Sequence, residues 1–258
     1  EGIGGADNTA ITTIIDQANA NNGTPQNFTQ SGGNSNWISD QSFITSTPNT
    51  NTALDFDGLN DYVQYTNPVS SPLRSTSFWV KTTKTTQVLI CSGIYISRFS
   101  NNGRVYAFMD GSTGNGDSSA NESSTAVNDG KWHYIAATND GSTTRLYIDG
   151  VLEASYADVY TQFNPENIGG IVFSNESWLD GQVDEFAVWD KVLTQDEIVS
   201  QMNGKLTGSE SGLALYFDFE EGIANGDNSA TGGDITQVID QAGSNNGSVN
   251  NFTRTGSS

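Results

Sequence analysis

Carboxylates that stand beside amide side chains and glycines are the residues of this 258-residue chain best suited to chemistry. Asp16 precedes the turn Asn21-Asn22-Gly23, and Asp57 and Asp61 lie in the segment DFDGLNDY. Ca²⁺ takes about six to eight oxygen ligands from carboxylates, amide side chains and backbone carbonyls. We therefore expect Ca²⁺ as a cofactor, bound first by Asp16 and its turn and second by Asp57 and Asp61. The alternative is that each Asp only stabilises a turn, which needs no metal.

The charge of the chain limits its partners. It contains 30 acidic and 10 basic residues, for a formal net charge of −20. Nucleic acids and anionic membrane surfaces are bound through basic patches, so we expect neither as a partner. The acidic surplus favours cations, although it also serves solubility. The chain has no run of about 18 apolar residues, and we predict no membrane insertion.

Cysteine usage and the chain start bear on localisation. Cys91 is the single cysteine, so the chain has no intrachain disulfide. It lies in the apolar run QVLICSGIYI, and we expect it in the core. No signal peptide is recognisable, and we interpret the start at Glu1 as a cut within a longer chain. We predict a secreted or cell-surface protein.

Short runs of alternating apolar and polar residues, separated by turns rich in Gly, Asn, Asp and Ser, predict an all-β fold. Asp149-Gly150 predicts a tight hairpin, because both residues tolerate positive φ. One helix is predicted over 193–202, with Thr194 at the cap position. The predicted strands are 53–58, 62–66, 77–82, 88–99, 104–110, 132–140, 144–156, 182–190 and 213–219.

The chain contains an internal repeat. Residues 11–32 match residues 235–256 at 13 of 22 positions, at an offset of 235 − 11 = 224 residues. A period this long indicates whole domains in tandem rather than a solenoid. We predict one repeat over 1–210 and the first strand and loop of the next over 211–258. Strand 213–219 either completes the first sandwich, in its own or a neighbouring molecule, or starts a second, partial domain.

Six motifs in order resemble the laminin-G-like, concanavalin A-like family of secreted bacterial surface proteins of the Bacteroidota type. The resemblance covers about residues 10 to 205, and the strand LALYFDFEEG resembles the family's opening strand displaced to the C-terminus. It implies a jelly-roll sandwich of two antiparallel sheets, used mostly for adhesion to carbohydrate or protein. The motifs are ALDFDG with DYV (53–63), SFWVK (77–81), DGKWHYIA (129–136), RLYIDG (145–150), LDGQVDEF (179–186) and LTQDEI (193–198).

The resemblance also implies a further metal ligand. The family often places a structural Ca²⁺ between a loop such as Asn21-Asn22-Gly23 and an Asp of the last long strand, which is Asp184 here. The alternative is that Asp184 pairs with a nearby Lys or Arg.

Catalysis is not expected, although glycoside hydrolases share the jelly roll. Retaining enzymes need two carboxyl groups about 5 Å apart, and the pattern Glu-x-Asp-x-x-Glu that would supply them is absent. Asp218 and Glu220 share one strand face, but the strand is followed at once by a glycine turn. His133 is the only histidine, so we interpret it as a core or edge residue rather than as part of a triad.

Aromatic residues in the amide-rich segment 156–178 are candidates for ligand binding. Sugar sites combine aromatic platforms with polar side chains, and the candidates are Tyr156, Tyr160, Phe163 and Trp178. The alternative is that these rings only pack the loops down.

These features favour a non-catalytic extracellular adhesion or fibre-forming repeat module stabilised by Ca²⁺. Its expected partners are a glycan or a surface protein and neighbouring repeats of the same chain or fibre. A carbohydrate-binding module of a secreted polysaccharide-degrading enzyme is the alternative. Many copies at the 224-residue spacing in the parent protein would favour the first hypothesis, and an adjoining hydrolase domain the second.

Overall fold

The computed structural model describes residues 48, 52–66, 68–69, 73–90, 94–96, 102–107, 121–157, 167–170, 178–222 and 235–252. All of them belong to the compact unit Thr45–Ser258. In this part of the chain the fold is all-β with one short helix, as predicted. The strands are β1 (Leu54–Asp57), β2 (Tyr62–Gln64), β3 (Leu73–Thr82), β4 (Gln87–Ile90), β5 (Ile94–Ile96), β6 (Val105–Ala107), β7 (Trp132–Asp140), β8 (Thr143–Ile148), β9 (Val151–Ala157), β10 (Asn167–Ile168), β11 (Asp180–Trp189), β12 (Leu213–Phe217), β13 (Gln237–Val238) and β14 (Gly247–Asn250), and the helix is α1 (Gln195–Met202).

The strands form two antiparallel sheets of seven strands each. The first has the order β1, β11, β3, β7, β8, β9, and β12 joins it by pairing with β11. Because β3 occupies one side of β11, β1 and β12 lie end to end along the other, against residues 180–183 and 186–189 respectively. The second sheet has the order β13, β14, β2, β10, β4, β5, β6. This arrangement confirms the predicted two-sheet antiparallel sandwich.

Alternate side chains along the strands form the core between the sheets. In β7, Ile135 and Ala137 belong to the core cluster, while Tyr134 and Ala136 are buried outside it. Successive side chains of a strand point to opposite faces, so the first sheet is buried on both. Aromatic rings fill the middle of the core, where Phe186 lies 5.5 Å from Tyr65 and 6.1 Å from Phe217 between ring centroids.

The second buried face of the first sheet corrects one expectation. Alternation along the strands predicts that Trp79, Trp132 and Trp189 fill the space between the sheets, but Trp79 and Trp189 are buried outside the core cluster. Trp79 packs edge-on against Tyr134 at 5.2 Å. Helix α1 lies against the turn between β8 and β9, where the Nε2 of Gln195 donates to the carbonyl of Gly150 at 2.8 Å. The two tryptophans therefore stabilise the outer face of this sheet.

Two local motifs follow their sequence signals. At the turn between β8 and β9, Asp149 has φ of 51° and Gly150 has φ of 78°, as expected for the predicted hairpin. Thr194 accepts the N–H of Glu197, and the carboxylate of Glu197 accepts the N–H of Thr194. This reciprocal capping box starts α1 two residues inside the predicted range.

Candidate functional site

The acidic turn Asp57–Asp61 connects β1 of the first sheet to β2 of the second, and it therefore lies at the rim of the sandwich. The Oδ2 of Asp61 accepts the N–H of Asp57 at 3.0 Å, and the Oδ1 of Asp57 accepts the N–H of Leu59 at 2.8 Å. Gly58 has φ of 78°, which favours glycine. These bonds account for the shape of the turn, and Ca²⁺ binding by Asp57 and Asp61 stays a prediction.

Asp61 combines burial with nearby negative charge. It is 3% exposed, and its Oδ1 is buried without a hydrogen-bond partner among the described residues. Burial raises the pKa of this carboxyl to about 6, and the charges of Asp57 and Asp55 add to the rise against the hydrogen bond from the N–H of Asp57. Asp61 can therefore take up a proton near pH 6.

Two more carboxylates accompany this turn. Asp180 is the cross-strand partner of Asp57, and a Cβ at Gly58 would lie 3.2 Å from the Oδ2 of Asp180. Burial raises the pKa of Asp55, and the charge of Asp180 acts in the same direction. Lys81 offsets part of the charge, since its positive charge acts to lower the pKa of Asp55. No group of three or more His, Cys, Asp or Glu in the described residues is arranged to hold a metal ion.

Asp184 lies apart from this turn. It follows Asp180 by four residues on β11, a separation of about 13 Å along a strand. Its side chain is buried, and its Oδ1 accepts the N–H of Glu185, a residue with φ of 48° at an irregularity in the pairing with β3. The other predicted ligands, Asp16 and Asn21-Asn22-Gly23, lie outside the described residues, so the Ca²⁺ site between them and Asp184 stays a prediction.

The second copy of that loop is described, and it shows what such an Asp does. Asp240, which corresponds to Asp16, accepts the N–H groups of Tyr216, Ala242 and Asn245 at 3.0 to 3.1 Å. Asn246, which corresponds to Asn22, accepts the N–H of Asp240 at 3.1 Å. The carboxylate of Asp240 thus holds a turn through backbone donors, which is the alternative stated for Asp16.

Two of the four predicted ligand-binding aromatics are described. Trp178 is 7% exposed and packs so closely on Gly170 that a Cβ there would lie 2.1 Å from its ring. Tyr156 stacks on Tyr106, with ring centroids 5.9 Å apart and planes 9° apart. Tyr160 and Phe163 lie outside the described residues. Both described rings therefore support packing, and ligand binding by this set stays a prediction.

His133 has a setting that the sequence analysis did not anticipate. Its Nδ1 lies 2.9 Å from the Oδ2 of Asp149, and its Nε2 lies 3.1 Å from the Oδ1 of Asp129. Burial lowers the pKa of the imidazole, but the hydrogen bonds and charges of the two carboxylates outweigh it and raise the pKa above its usual value. The motifs DGKWHYIA and RLYIDG contain all three residues. The pairing of β7 with β8 brings the Asp-Gly turn of RLYIDG beside His133.

An open cleft of about 280 Å³ lies beside the C-terminal half of α1. Its lining includes Ser200, Gln201, Lys205 and Glu210, together with Trp189, whose ring is buried because the residue is only 1% exposed. The Nζ of Lys191 lies 5.4 Å from the centre of that ring. The cleft thus offers hydroxyl, amide and charged groups, which are groups that bind the hydroxyls of small polar ligands.

In the described residues, no helix is long and apolar enough to span a membrane.

Comparison with known proteins identifies the fold independently. No curated protein sequence matches the chain. A candidate carbohydrate-binding protein from Bacteroides ovatus has a similar structure, with a TM-score of 0.56, 19% identity, and coverage of 78% of this chain and 58% of that one. A heptameric SAP-like pentraxin from Limulus polyphemus gives a TM-score of 0.44 and 15% identity over 57% of this chain and 80% of that one.

The family model described as the concanavalin A-like lectin/glucanases superfamily, Laminin G 3, matches residues 56–199, which is more than half of the chain. The match spans the predicted motifs from DFDG to LTQDEI. It confirms the resemblance on which the fold was predicted: the chain belongs to the concanavalin A-like lectin/glucanases superfamily.

Proposed function

We propose that this chain is a non-catalytic adhesion module of an extracellular protein, and that it binds glycans through the cleft beside α1. The observation that carries the proposal is the lining of this cleft, which brings together Ser200, Gln201, Lys205 and Glu210. Sugar hydroxyls are bound by such donors and acceptors. The superfamily membership and the similarity to a candidate carbohydrate-binding protein support the same class of ligand.

The settings of the nearest acids support a module without catalysis. Asp218 has both carboxylate oxygens engaged, one with the Nε2 of Gln241 at 3.2 Å and the other with the Nζ of Lys205 at 3.3 Å. Phe219, between Asp218 and Glu220, has φ of 51° and lies beyond the end of β12. The two acids therefore do not share a strand face, as a pair of carboxyl groups facing one scissile bond would need to.

The module of a polysaccharide-degrading enzyme remains the second candidate. The similar fold of the candidate carbohydrate-binding protein is compatible with it, because glycan recognition is common to both hypotheses. The two differ in what the parent chain carries beside this domain. A parent protein with tandem copies of residues 1–210 supports adhesion, and one with a hydrolase domain supports the alternative.

The test is glycan binding by the whole chain. We expect retention on at least one class of polysaccharide, and a tenfold or greater loss of affinity in Ser200→Trp, where the new ring fills the cleft. Asp196→Trp is the matched control, because Asp196 is exposed on the same helix and does not line the cleft. Retention that Ser200→Trp leaves unchanged rules out the cleft, and release of reducing ends from the bound glycan rules out a non-catalytic module.

A further inference from the structure

Helix α1 rests on the turn between β8 and β9 with one of its faces. The Nε2 of Gln195 donates to the carbonyl of Gly150 at 2.8 Å. A Cβ added at Gly150 would lie 2.8 Å from the Cγ2 of Val199 and 3.4 Å from the Cε of Met202. Residues 195, 199 and 202 are spaced as i, i+4 and i+7, so they share one face of the helix. The turn therefore sets the position of α1 on the first sheet.

The other side of α1 borders the cleft. Glu197, Ser200 and Gln201 line it, and at about 100° per residue they lie opposite the face that rests on the turn. Because α1 stands between the turn and the cleft, a movement of the turn displaces a wall of the cleft. Tyr134 makes a second connection, since its hydroxyl donates to the Oε1 of Gln201 at 3.5 Å.

Asp149 keeps the turn in a conformation that costs free energy for a residue with a side chain, since its φ of 51° lies in the left-handed region. Two contacts of its carboxylate hold it there. The Oδ1 accepts the N–H of Tyr134 at 2.8 Å, and the Oδ2 lies 2.9 Å from the Nδ1 of His133. The first contact comes from the backbone and does not titrate. The second depends on the protonation of the imidazole.

Loss of a proton from His133 weakens its contact with Asp149 in either tautomer. The protonated ring donates both to Asp149 and to the Oδ1 of Asp129, which lies 3.1 Å from the Nε2. A neutral ring has one N–H. If the Nε2 carries it, the bond to Asp149 is lost. If the Nδ1 carries it, the bond remains without the charge that makes such bonds about twice as strong.

The charges around His133 come mainly from these two carboxylates. Lys131 lies 3.0 Å from the Oδ2 of Asp129, and its side chain is mostly exposed. Strand β3 places Val80 opposite His133, and α1 meets the turn through three uncharged residues. Among these described contacts, His133 is therefore the group whose titration changes the hold on the turn.

We propose that protonation of His133 tightens the turn beneath α1 and thereby strengthens glycan binding in the cleft. This inference rests on the proposed function of the cleft and adds a means of regulation to it. The imidazole is protonated below its folded pKa, which the two carboxylates raise above the usual value of about 6.5 against the effect of burial. The module therefore binds more tightly in mildly acidic than in alkaline surroundings.

The acids of the cleft do not produce the same response. The hydrogen bond from Lys191 lowers the pKa of Glu197. Burial raises the pKa of Glu210, but the hydrogen bonds from Thr207 outweigh it and lower that pKa. Both carboxyl groups are therefore ionised at pH 5.5 and at pH 8.5.

The first test follows α1 and needs no glycan. Hydrogen exchange of the backbone amides of α1 is measured in the whole chain at pH 5.5 and 8.5, with correction for the intrinsic exchange rates. We expect protection about fivefold lower at pH 8.5 in the native chain, and equal protection at both pH values in His133→Gln. Equal protection in the native chain overturns the proposal, and so does a native difference that His133→Gln retains.

Two further variants make this test specific. Lys131→Gln is the matched control, because it removes an exposed charge beside Asp129 and leaves both contacts of the imidazole. It should keep the native difference. Asp149→Asn still accepts the N–H of Tyr134 and tolerates positive φ, but it cannot form the ion pair. It should lose the difference as His133→Gln does, and it decides the test if His133→Gln does not fold.

The second test measures affinity, with xylan, laminarin and chitin as probes. On a probe that retains the native chain, we expect the affinity to be about fivefold lower at pH 8.5 than at pH 5.5, with no such difference in His133→Gln. Retention that does not depend on pH overturns this inference alone and leaves glycan binding in place. Retention on none of the probes at either pH overturns the proposed function and this inference together.

Discussion

His133 and Asp149 are joined across the pairing of β7 and β8, with 2.9 Å between the Nδ1 and the Oδ2. The other oxygen of Asp149 accepts the N–H of Tyr134 at 2.8 Å, so one turn residue orients both the backbone and the imidazole. Asp129 binds the second ring nitrogen, and its own pKa is lowered to about 2, with hydrogen bonds from Lys131 and His133 outweighing burial. An imidazole that donates from both nitrogens is protonated.

The first prediction is a pH-dependent contribution of His133 to stability. The pKa of His133 is raised on folding, so its contribution is present below about pH 6.5 and is lost as the pH rises through the folded value. In urea unfolding, His133→Gln should lose more stability relative to the native chain at pH 5.5 than at pH 8.5. A loss of the same size at both pH values would contradict a protonated His133.

The second prediction concerns Asp61. Because its pKa is raised to about 6 on folding, its contribution is greatest below about pH 4 and is lost as the pH rises through 6. Asp61→Asn keeps an oxygen for the N–H of Asp57 and cannot ionise, so its free energy of unfolding should change less between pH 4 and 7. The exposed Asp196→Asn serves as the control and should retain the native pH dependence. A native slope in Asp61→Asn would show that other groups titrate.

The third prediction is that truncation after Lys205 abolishes the fold. It removes β12 to β14 and with them the core residues Leu215, Phe217, Phe219, Val238 and Val249. Each large core side chain contributes about 3 kcal/mol, against a total stability of about 5 to 15 kcal/mol. Circular dichroism should show an unfolded chain, or light scattering an oligomer. A truncated chain as stable and as monomeric as the full one would mean that residues 211–258 do not complete the sandwich.

The fourth prediction tests calcium. If the Asp16 loop binds Ca²⁺, a hundredfold excess of metal over its dissociation constant adds about 3 kcal/mol to the free energy of unfolding, and chelator removes it. The decisive readout is the difference in melting temperature with and without Ca²⁺, which should vanish in Asp16→Ala. Comparison with Asp240→Ala, which loses the hydrogen bonds from the N–H groups of Tyr216, Ala242 and Asn245, separates a metal ligand from a residue that only holds the backbone. An unchanged melting temperature in chelator leaves no calcium site.

Local signals predicted much of the fold. Alternation in WHYIAATND and in LALYF gave the strand faces, Thr194 with Glu197 gave the helix start, and Asp149-Gly150 gave a hairpin. These features depend on residues close in sequence. The expectation that Trp79 and Trp189 lie between the sheets was wrong. Alternation shows that successive side chains point to opposite faces of the sheet, but it does not show that a helix 6 to 13 residues after Trp189 covers the outer face.

The candidate site was less predictable, because its properties arise from distant residues. Asp57 and Asp61 were recognised as a pair, but the burial of Asp61 depends on packing across the rim, and Asp180 arrives through the pairing of β1 with β11. The partners of His133 likewise depend on strand register. The residues that line the cleft beside α1 all come from one stretch of the chain, 189–211, but the sequence does not show which of its side chains face the cleft.

The neighbours of β1 bear on how the domain would carry tension. Thr52, just before β1, donates its hydroxyl to the carbonyl of Phe219 at 2.6 Å, and Phe252 packs on Phe56 within β1. Residues 52 and 252 thus both lie beside one short strand. A pulling force applied at residues 52 and 252 would therefore act mainly on β1 and its contacts, and not on the rest of the sandwich.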